Sequence, residues 1–357
     1  MFQKGLKDVV AVQTKIASVE GDIGELRYRG IQVGELVAKH SFEEIAHFLW
    51  NDKFPDQNEA YTLQEGRALP THVKLIIDAL PSETLLMDAM RTAISAYAHQ
   101  SFTNQPIEQQ ALHLTAALPV IIARHYRNVN GLPVIEPDPS LSHTANYLWM
   151  LTGKEPADVH VEALEIYLKL TMEHGMNAST FAARVTISTE SDLIAAITSA
   201  LGTMKGPLHG GAPSAVIELL EEIGTQENIR SVIEEKLQNG ERIMGFGHRI
   251  YKTEDPRSII LRDKCAKLTG KDGWLDLATA AETEIIDLLE TYKPGRKLYT
   301  NVEYYAAAIM RAIDMPPELF TPTFSVARMV GWTAHAIEQL KDNTIFRPQS
   351  VYIGKKS

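Results

Sequence analysis

Ser41-Phe42-Glu43-Glu44, with Ile45, Phe48 and Leu49 behind it, is the stretch that sets the fold class. Ser41 suits a helix N-cap, and Glu44, three residues on, completes a capping box. The apolar residues then return at helical spacing, so one face of the helix can be buried. Pro55 is expected to end it. The same pattern predicts helices at 59–67, 71–79, 83–98, 106–126, 141–152 and 157–173. It continues at 191–201, 213–223, 228–238, 257–269, 274–291, 302–314 and 323–341. Gly224 suits the residue after the helix that starts near Pro213. Residues 14–30 differ. Thr14, Ile16 and Ser18 alternate with other residues, Glu20-Gly21-Asp22 is a turn signal, and Glu25–Gly30 follows, which together predict a β-hairpin. The expectation is a mainly α chain with one small N-terminal β element, without internal repeats.

The bulk properties exclude several classes. The 357 residues are 45% hydrophobic, enough for a large core in two domains or one big one. The charged fraction of 22% is ordinary for a folded protein. A net charge of −10 gives no overall basic character for nucleic acid. The single cysteine, Cys265, rules out an intrachain disulfide and fits a reducing cytosol. It sits in Leu261–Leu268, which reads as a helix edge, with an unreactive thiol. Met1–Asp8 has no apolar signal-peptide region. The longest apolar run, Ala117–Ala123, falls well short of the roughly 18 residues a membrane span needs. A cytoplasmic location is therefore expected.

P-loop, zincin, esterase-elbow and EF-hand motifs are absent. Gly245-Phe246-Gly247 is too short for a dinucleotide fingerprint. Four segments place polar residues among Gly and Pro instead. In Gly206–Pro213, Gly210 and Gly211 permit close approach of backbone or ligand. His209 stands just before a predicted helix, whose positive end disfavours an imidazolium. In Gly245–Arg257, Arg249, Lys252 and Arg257 lie within ten residues of His248. They favour its neutral form and suit carboxylate or phosphate. Asn301-Val302-Glu303 follows the cationic run Lys293-Pro294-Gly295-Arg296-Lys297. The fourth pairs Phe324–Arg328 with Phe346-Arg347-Pro348. Each has a plain structural reading as well: a histidine in a glycine loop, a solvated loop in which Glu254 and Asp255 pair locally, a helix-capping carboxylate, a surface arginine.

In order and spacing these segments resemble the citrate synthase family, especially its short bacterial, Bacillus-type members of Gram-positive organisms. The resemblance covers almost the whole chain. Leu26–Gly30, Met90–Ala93, His174–Phe181, Gly206–Gly211, Gly245–Arg257 and Asn301–Tyr305 all carry it. It implies condensation of acetyl-CoA with oxaloacetate, then hydrolysis of citryl-CoA to citrate and CoA, by an acyltransferase. Glu303 matches the base that takes the methyl proton. His209 matches the donor to the thioester oxygen, and His248 the group that polarises the oxaloacetate ketone. Arg257, Arg328 and Arg347 match the carboxylate-binding arginines, whose planar fork suits that task. His174 matches a further oxaloacetate ligand. Arg347 would enter the neighbouring subunit's site, which implies a homodimer. Lys252 matches a CoA phosphate contact; Lys293, Arg296 and Lys297 are CoA candidates by charge alone. No metal or other cofactor is implied. The implied domains are 1–209 with 309–357, large and helical, and 210–308, smaller and closing over the substrates.

Three positions depart from the family pattern. Glu303 stands where most members have Asp. Its extra methylene moves the carboxylate by roughly 1 Å, which can cost on the order of 100-fold in rate. The site is then either repacked around Glu303, slow, or inactive. Thr171 stands where many members have His, and Ala212-Pro213-Ser214 where Ala-Asn-Glu is common. Two alternatives follow: a 2-methylcitrate synthase using propionyl-CoA, and a non-catalytic scaffold that binds oxaloacetate.

Overall fold

The computed structural model describes residues 2–6, 8–56, 61–210, 212–248, 250–266 and 273–355, with the side chains of 212–214 left aside. Gly211, Arg249, the start of the helix expected at 59–67 and the end of that expected at 257–269 lie outside these residues. The strands are β1 (Ala17–Glu20), β2 (Glu25–Tyr28) and β3 (Ile31–Gln32), an antiparallel sheet in the order β1-β2-β3. The helices begin with α1 (Val33–Lys39), α2 (Phe42–Asn51), α3 (Thr71–Asp78), α4 (Leu86–Ser95), α5 (Gln100–Thr103), α6 (Ile107–Val129), α7 (His143–Thr152) and α8 (Asp158–Thr171). They continue with α9 (Ala178–Ile187), α10 (Leu193–Met204), α11 (Ala212–Ile223), α12 (Ile229–Gln238), α13 (Pro256–Ala266), α14 (Gly273–Tyr292), α15 (Val302–Ala312) and α16 (Phe320–Lys341).

The capping box at Ser41 forms as expected: Glu44 N–H donates to Ser41 Oγ at 3.1 Å, and Glu44 Oε2 accepts Ser41 N–H at 2.9 Å. The helix does not run to Pro55. Asp52, in the left-handed region at φ 61°, closes it by donating its N–H to Phe48 O at 2.9 Å. Gly224 ends α11 at φ 68°, as the sequence suggests. In place of a helix over 59–67 there is a short 3₁₀ turn, Gln64–Arg67. The expected hairpin gains a third strand, because Arg29 (φ 45°) and Gly30 (φ 84°) turn the chain back on itself.

Two groups of helices carry the core. α16 is buried along most of its length and packs on α2, α6, α8, α9 and α10. A second group, α11 to α15, packs mainly within itself, α15 against α11, α13 and α14, and α12 against α14. The sheet is tied to the end of α8 by Tyr28. Its buried hydroxyl lies 3.2, 3.0 and 3.1 Å from the carbonyls of Lys169, Leu170 and Glu173. This fixes the chain just before His174. Cys265 on α13 is buried, and burial pushes its thiol up to about 12. Among the described residues no helix is long and apolar enough to cross a membrane.

Candidate active site

His174, His209, His248, Arg257, Glu303 and Arg328 come from five separate segments, His248 and Arg257 sharing one, and come close enough together to act on one another's charge. His174 follows α8, and His248 lies in the segment before α13. Their rings meet edge to face with centroids 5.3 Å apart. Tyr251 joins them: its hydroxyl is 3.1 Å from His174 Nε2, and its ring is 4.7 Å from that of His248. Arg257, on the first turn of α13, lies with its guanidinium carbon 5.9 Å from the Tyr251 ring.

The local chain fixes the proton on His248. The backbone N–H groups of Ile250 and Tyr251 both donate to Nδ1, at 3.0 and 3.1 Å. Nδ1 is thus an acceptor, and the proton sits on Nε2. Burial, then the charge of Arg257, lowers this imidazole to about 4, against an opposing pull from Asp255. Lys252 turns away to pair with Asp22 at 2.6 Å. His209 is likewise neutral, lowered to about 4 by burial and by Arg328. Its Nε2 accepts Ser179 N–H at 3.3 Å, which places its proton on Nδ1, and lies 2.7 Å from Ser179 Oγ, whose hydroxyl also reaches Asn177 Oδ1 at 2.8 Å. Trp332 donates its indole N–H to the same Oγ at 3.0 Å. Burial and the charges of Arg257 and His248 hold His174 well below the usual imidazole range.

The cations differ from one another. Arg257 is buried and paired with buried Asp255 through Nε (3.0 Å) and Nη2 (2.8 Å). Burial works against the Asp255 charge, but Arg257 outweighs it and holds the carboxyl below its usual range. Arg328, in the middle of α16, is buried with no hydrogen bond or ion pair among the described residues; its guanidinium lies over the Phe324 ring at 4.8 Å. A buried guanidinium without a partner suits an anionic ligand. Glu303 enters on the first turn of α15, where Asn301 Oδ1 caps the helix by accepting Glu303 N–H at 3.0 Å. The helix is thus capped by Asn301. The Glu303 side chain makes no hydrogen bond or ion pair among the described residues. Burial raises its carboxyl to about 7, Arg257 and Arg328 pull it down, and Asp255 adds to the rise.

A cleft of about 310 Å³ opens beside His248, lined by Arg242, Phe246, Leu289, Lys293, Arg296 and Leu298 among others. No cluster of three or more His, Cys, Asp or Glu among the described residues is arranged to hold a metal.

This chain matches the family model described as citrate synthase, C-terminal domain, over residues 5–349. It belongs to the citrate synthase family. Citrate synthase of Synechocystis is 40% identical to it, over 99% of this chain and 91% of that protein. Citrate/2-methylcitrate synthase of Bacillus subtilis is 36% identical, over 99% and 97%. The crystal structure of citrate synthase from Thermotoga maritima superposes with a TM-score of 0.90 at 36% identity, covering 100% of this chain and 97% of that one. The helical fold read from the sequence is that of the family, and the enzyme class is acyltransferase.

Not every residue singled out in the sequence joins this cluster. Lys293 and Arg296 line the cleft; Lys297, in the left-handed region at φ 48°, does not. Lys252 is exposed and spent on Asp22. Arg347 is exposed in a segment beyond α16, where Phe346 N–H donates to Ser188 Oγ at 3.2 Å. The sequence reading passed over Ser179, Tyr251 and Trp332. Asp255 it took for part of a solvated loop. The first two stood inside segments already picked out; Tyr251 lies three residues after His248, but Ser179 meets a histidine 30 residues away and gave no local signal. Trp332 gave none.

Proposed function

We propose that this enzyme condenses acetyl-CoA with oxaloacetate and hydrolyses the resulting thioester to citrate and CoA. The observation that carries this reading is one combination of groups. Two neutral imidazoles, each with its proton on a defined nitrogen, sit with a carboxylate near pKa 7 that has no hydrogen-bond or ion-pair partner among the described residues.

In this reading Glu303 removes a proton from the acetyl methyl, and His209 donates Nδ1–H to the thioester oxygen as the enolate forms. His248 donates Nε2–H to the ketone oxygen of oxaloacetate and makes its carbon electrophilic. Arg257 and the unpaired Arg328 bind the two carboxylates, with His174 as a further ligand. The enolate carbon attacks the ketone carbon, giving citryl-CoA. Water then cleaves the thioester, and the thiol leaves as CoA. No metal or further cofactor takes part.

The cleft with Lys293 and Arg296 is the proposed seat of the CoA phosphates, with Lys297 next to Arg296 in the chain; Lys252, paired with Asp22, is left out of it. Residues 1–209 and 309–357 form the proposed large domain, and 210–308 the small one, which closes to exclude water. The self-contained packing of α11 to α15 supports that division. Arg347, exposed in the single chain, is proposed to complete the site of a second copy in a homodimer. A cytoplasmic setting is proposed on the lone cysteine, and a bacterial one on relatives such as those of Synechocystis and Bacillus subtilis.

Release of CoA thiol with oxaloacetate, compared between acetyl-CoA and propionyl-CoA, tests the assignment. Preference for acetyl-CoA supports it. Preference for propionyl-CoA selects 2-methylcitrate formation, an activity named in the Bacillus subtilis relative. Binding of oxaloacetate without thiol release would leave a scaffold in which Glu303 no longer acts as a base.

A further inference from the structure

The turn between β1 and β2 presses on the segment that carries His248, more than 200 residues away in sequence. Gly21 O accepts the backbone N–H of Lys252 at 2.9 Å. Gly21 has no room for a side chain: a Cβ there would stand 2.2 Å from Ile250 O and 2.9 Å from Ile250 Cγ2. Gly24, at φ 69°, is equally close to the next residues, with a Cβ position 2.6 Å from Thr253 Oγ1 and 3.0 Å from Glu254 O. At the rim, the exposed side chains of Asp22 and Lys252 form their ion pair.

The carbonyl of Ile250 and the N–H of Tyr251 belong to one planar peptide. The oxygen of that peptide rests on Gly21, and its N–H donates to His248 Nδ1. Displacing the oxygen must therefore tilt the N–H that holds the histidine's acceptor nitrogen. The same shift moves Tyr251, whose hydroxyl meets His174.

We propose that the Gly21 turn is a positioning element for His248, setting the direction of the ring and the nitrogen that bears its proton. The proposal rests on the reading of His248 as the donor to the oxaloacetate ketone. Gly21 touches neither substrate; it acts through the Ile250–Tyr251 peptide. A perturbed turn should therefore damage oxaloacetate use and leave acetyl-CoA use alone, a split that loss of general stability would not produce.

The test is steady-state kinetics of Gly21→Ala, Ile250→Gly, Asp22→Asn and His248→Ala, each with a melting curve. In Gly21→Ala and Ile250→Gly, KM for oxaloacetate should rise about tenfold or more and kcat fall, with KM for acetyl-CoA within about twofold. Asp22→Asn should keep oxaloacetate KM within about twofold, because the backbone contacts need no charge. Ile250→Gly adds no atoms and decides the matter if Gly21→Ala does not fold. Oxaloacetate KM unchanged in a folded Gly21→Ala or Ile250→Gly, or an equal rise in both KM values, overturns the proposal. If His248→Ala itself uses oxaloacetate normally, the reading of the site fails first. If His248→Ala is impaired and the turn variants are not, the positioning role alone fails.

Discussion

Asp255 holds Arg257 along one edge of its guanidinium, Nε to Oδ1 at 3.0 Å and Nη2 to Oδ2 at 2.8 Å, and the same carboxylate accepts Val302 N–H at 3.1 Å. One buried group thus orients Arg257, the proposed carboxylate-binding arginine, and anchors the start of the helix that carries Glu303. Removing it leaves a buried cation uncompensated, which costs about 3–5 kcal/mol. Asp255→Ala is expected to lower the urea midpoint accordingly and to raise KM for oxaloacetate. Because the Asp255 carboxyl is held below its ordinary 3.8, its contribution is present above that pH and is lost only as pH falls further. The deficit should be full at neutral pH. A variant as stable as the wild type there would refute the pairing argument.

Glu303 supplies a pH dependence with a definite sign. As a base it must be ionised, so turnover should fall as pH drops through about 7. Glu303→Gln should lose on the order of 100-fold or more in thiol release, with oxaloacetate binding nearly intact. Glu303→Asp, shorter by roughly 1 Å, should lose on the order of 100-fold if the site is packed around glutamate. Near-normal turnover in Glu303→Gln would end its role as the base.

The same shift predicts a stability effect. The folded carboxyl lies above its ordinary 4.5, so its favourable contribution is full below that pH and is lost as pH rises through about 7. Glutamine never ionises. Glu303→Gln should therefore melt higher than the wild type at pH 8 and show no such gain at pH 4.5. Calorimetry at the two values decides it, and a lower melting point at pH 8 contradicts the electrostatic account.

Ser179 N–H gives His209 its tautomer, and Ser179 Oγ accepts a hydrogen bond from the indole N–H of Trp332. Ser179→Ala keeps the backbone donor but leaves the Trp332 N–H unpaired in the core, at a cost of about 1–3 kcal/mol. A fall in kcat with oxaloacetate KM unchanged is expected. Loss confined to oxaloacetate KM would place His209 elsewhere in the reaction.

Lys293 and Arg296 are expected to act on acetyl-CoA alone. Replacing either with alanine should raise KM for acetyl-CoA, leave that for oxaloacetate in place, and flatten the dependence of the former on salt. An effect on oxaloacetate instead would remove the cleft from CoA binding.

The helices that could be read in the sequence are those whose apolar period runs for two turns or more, such as α2 and α16. α9 was passed over because Ala178–Ile187 mixes small and β-branched residues without a clean stripe, although Asn177 caps it by accepting Thr180 N–H. α1 is only seven residues long. In the site, Gly and Pro set His209 and His248 apart, whereas His174, Glu303, Arg257 and Arg328 were assigned through the resemblance to citrate synthases. Their partners could not be found. Whether Arg328 is paired, or which nitrogen of His209 holds the proton, depends on atoms brought together across the whole chain, and no local pattern encodes that. Lys252 shows the converse: the cation was evident, but its use on Asp22 was not.

Cys265 gives the molecule a built-in clock. Its thiol is the only one in the chain, enclosed in α13 with its ionisation suppressed, so reagents should reach it only when that helix opens. The labelling rate of the untouched protein would then count openings around the His248 segment. Slowing by oxaloacetate would measure, without any engineered probe, how strongly the ligand holds that helix shut.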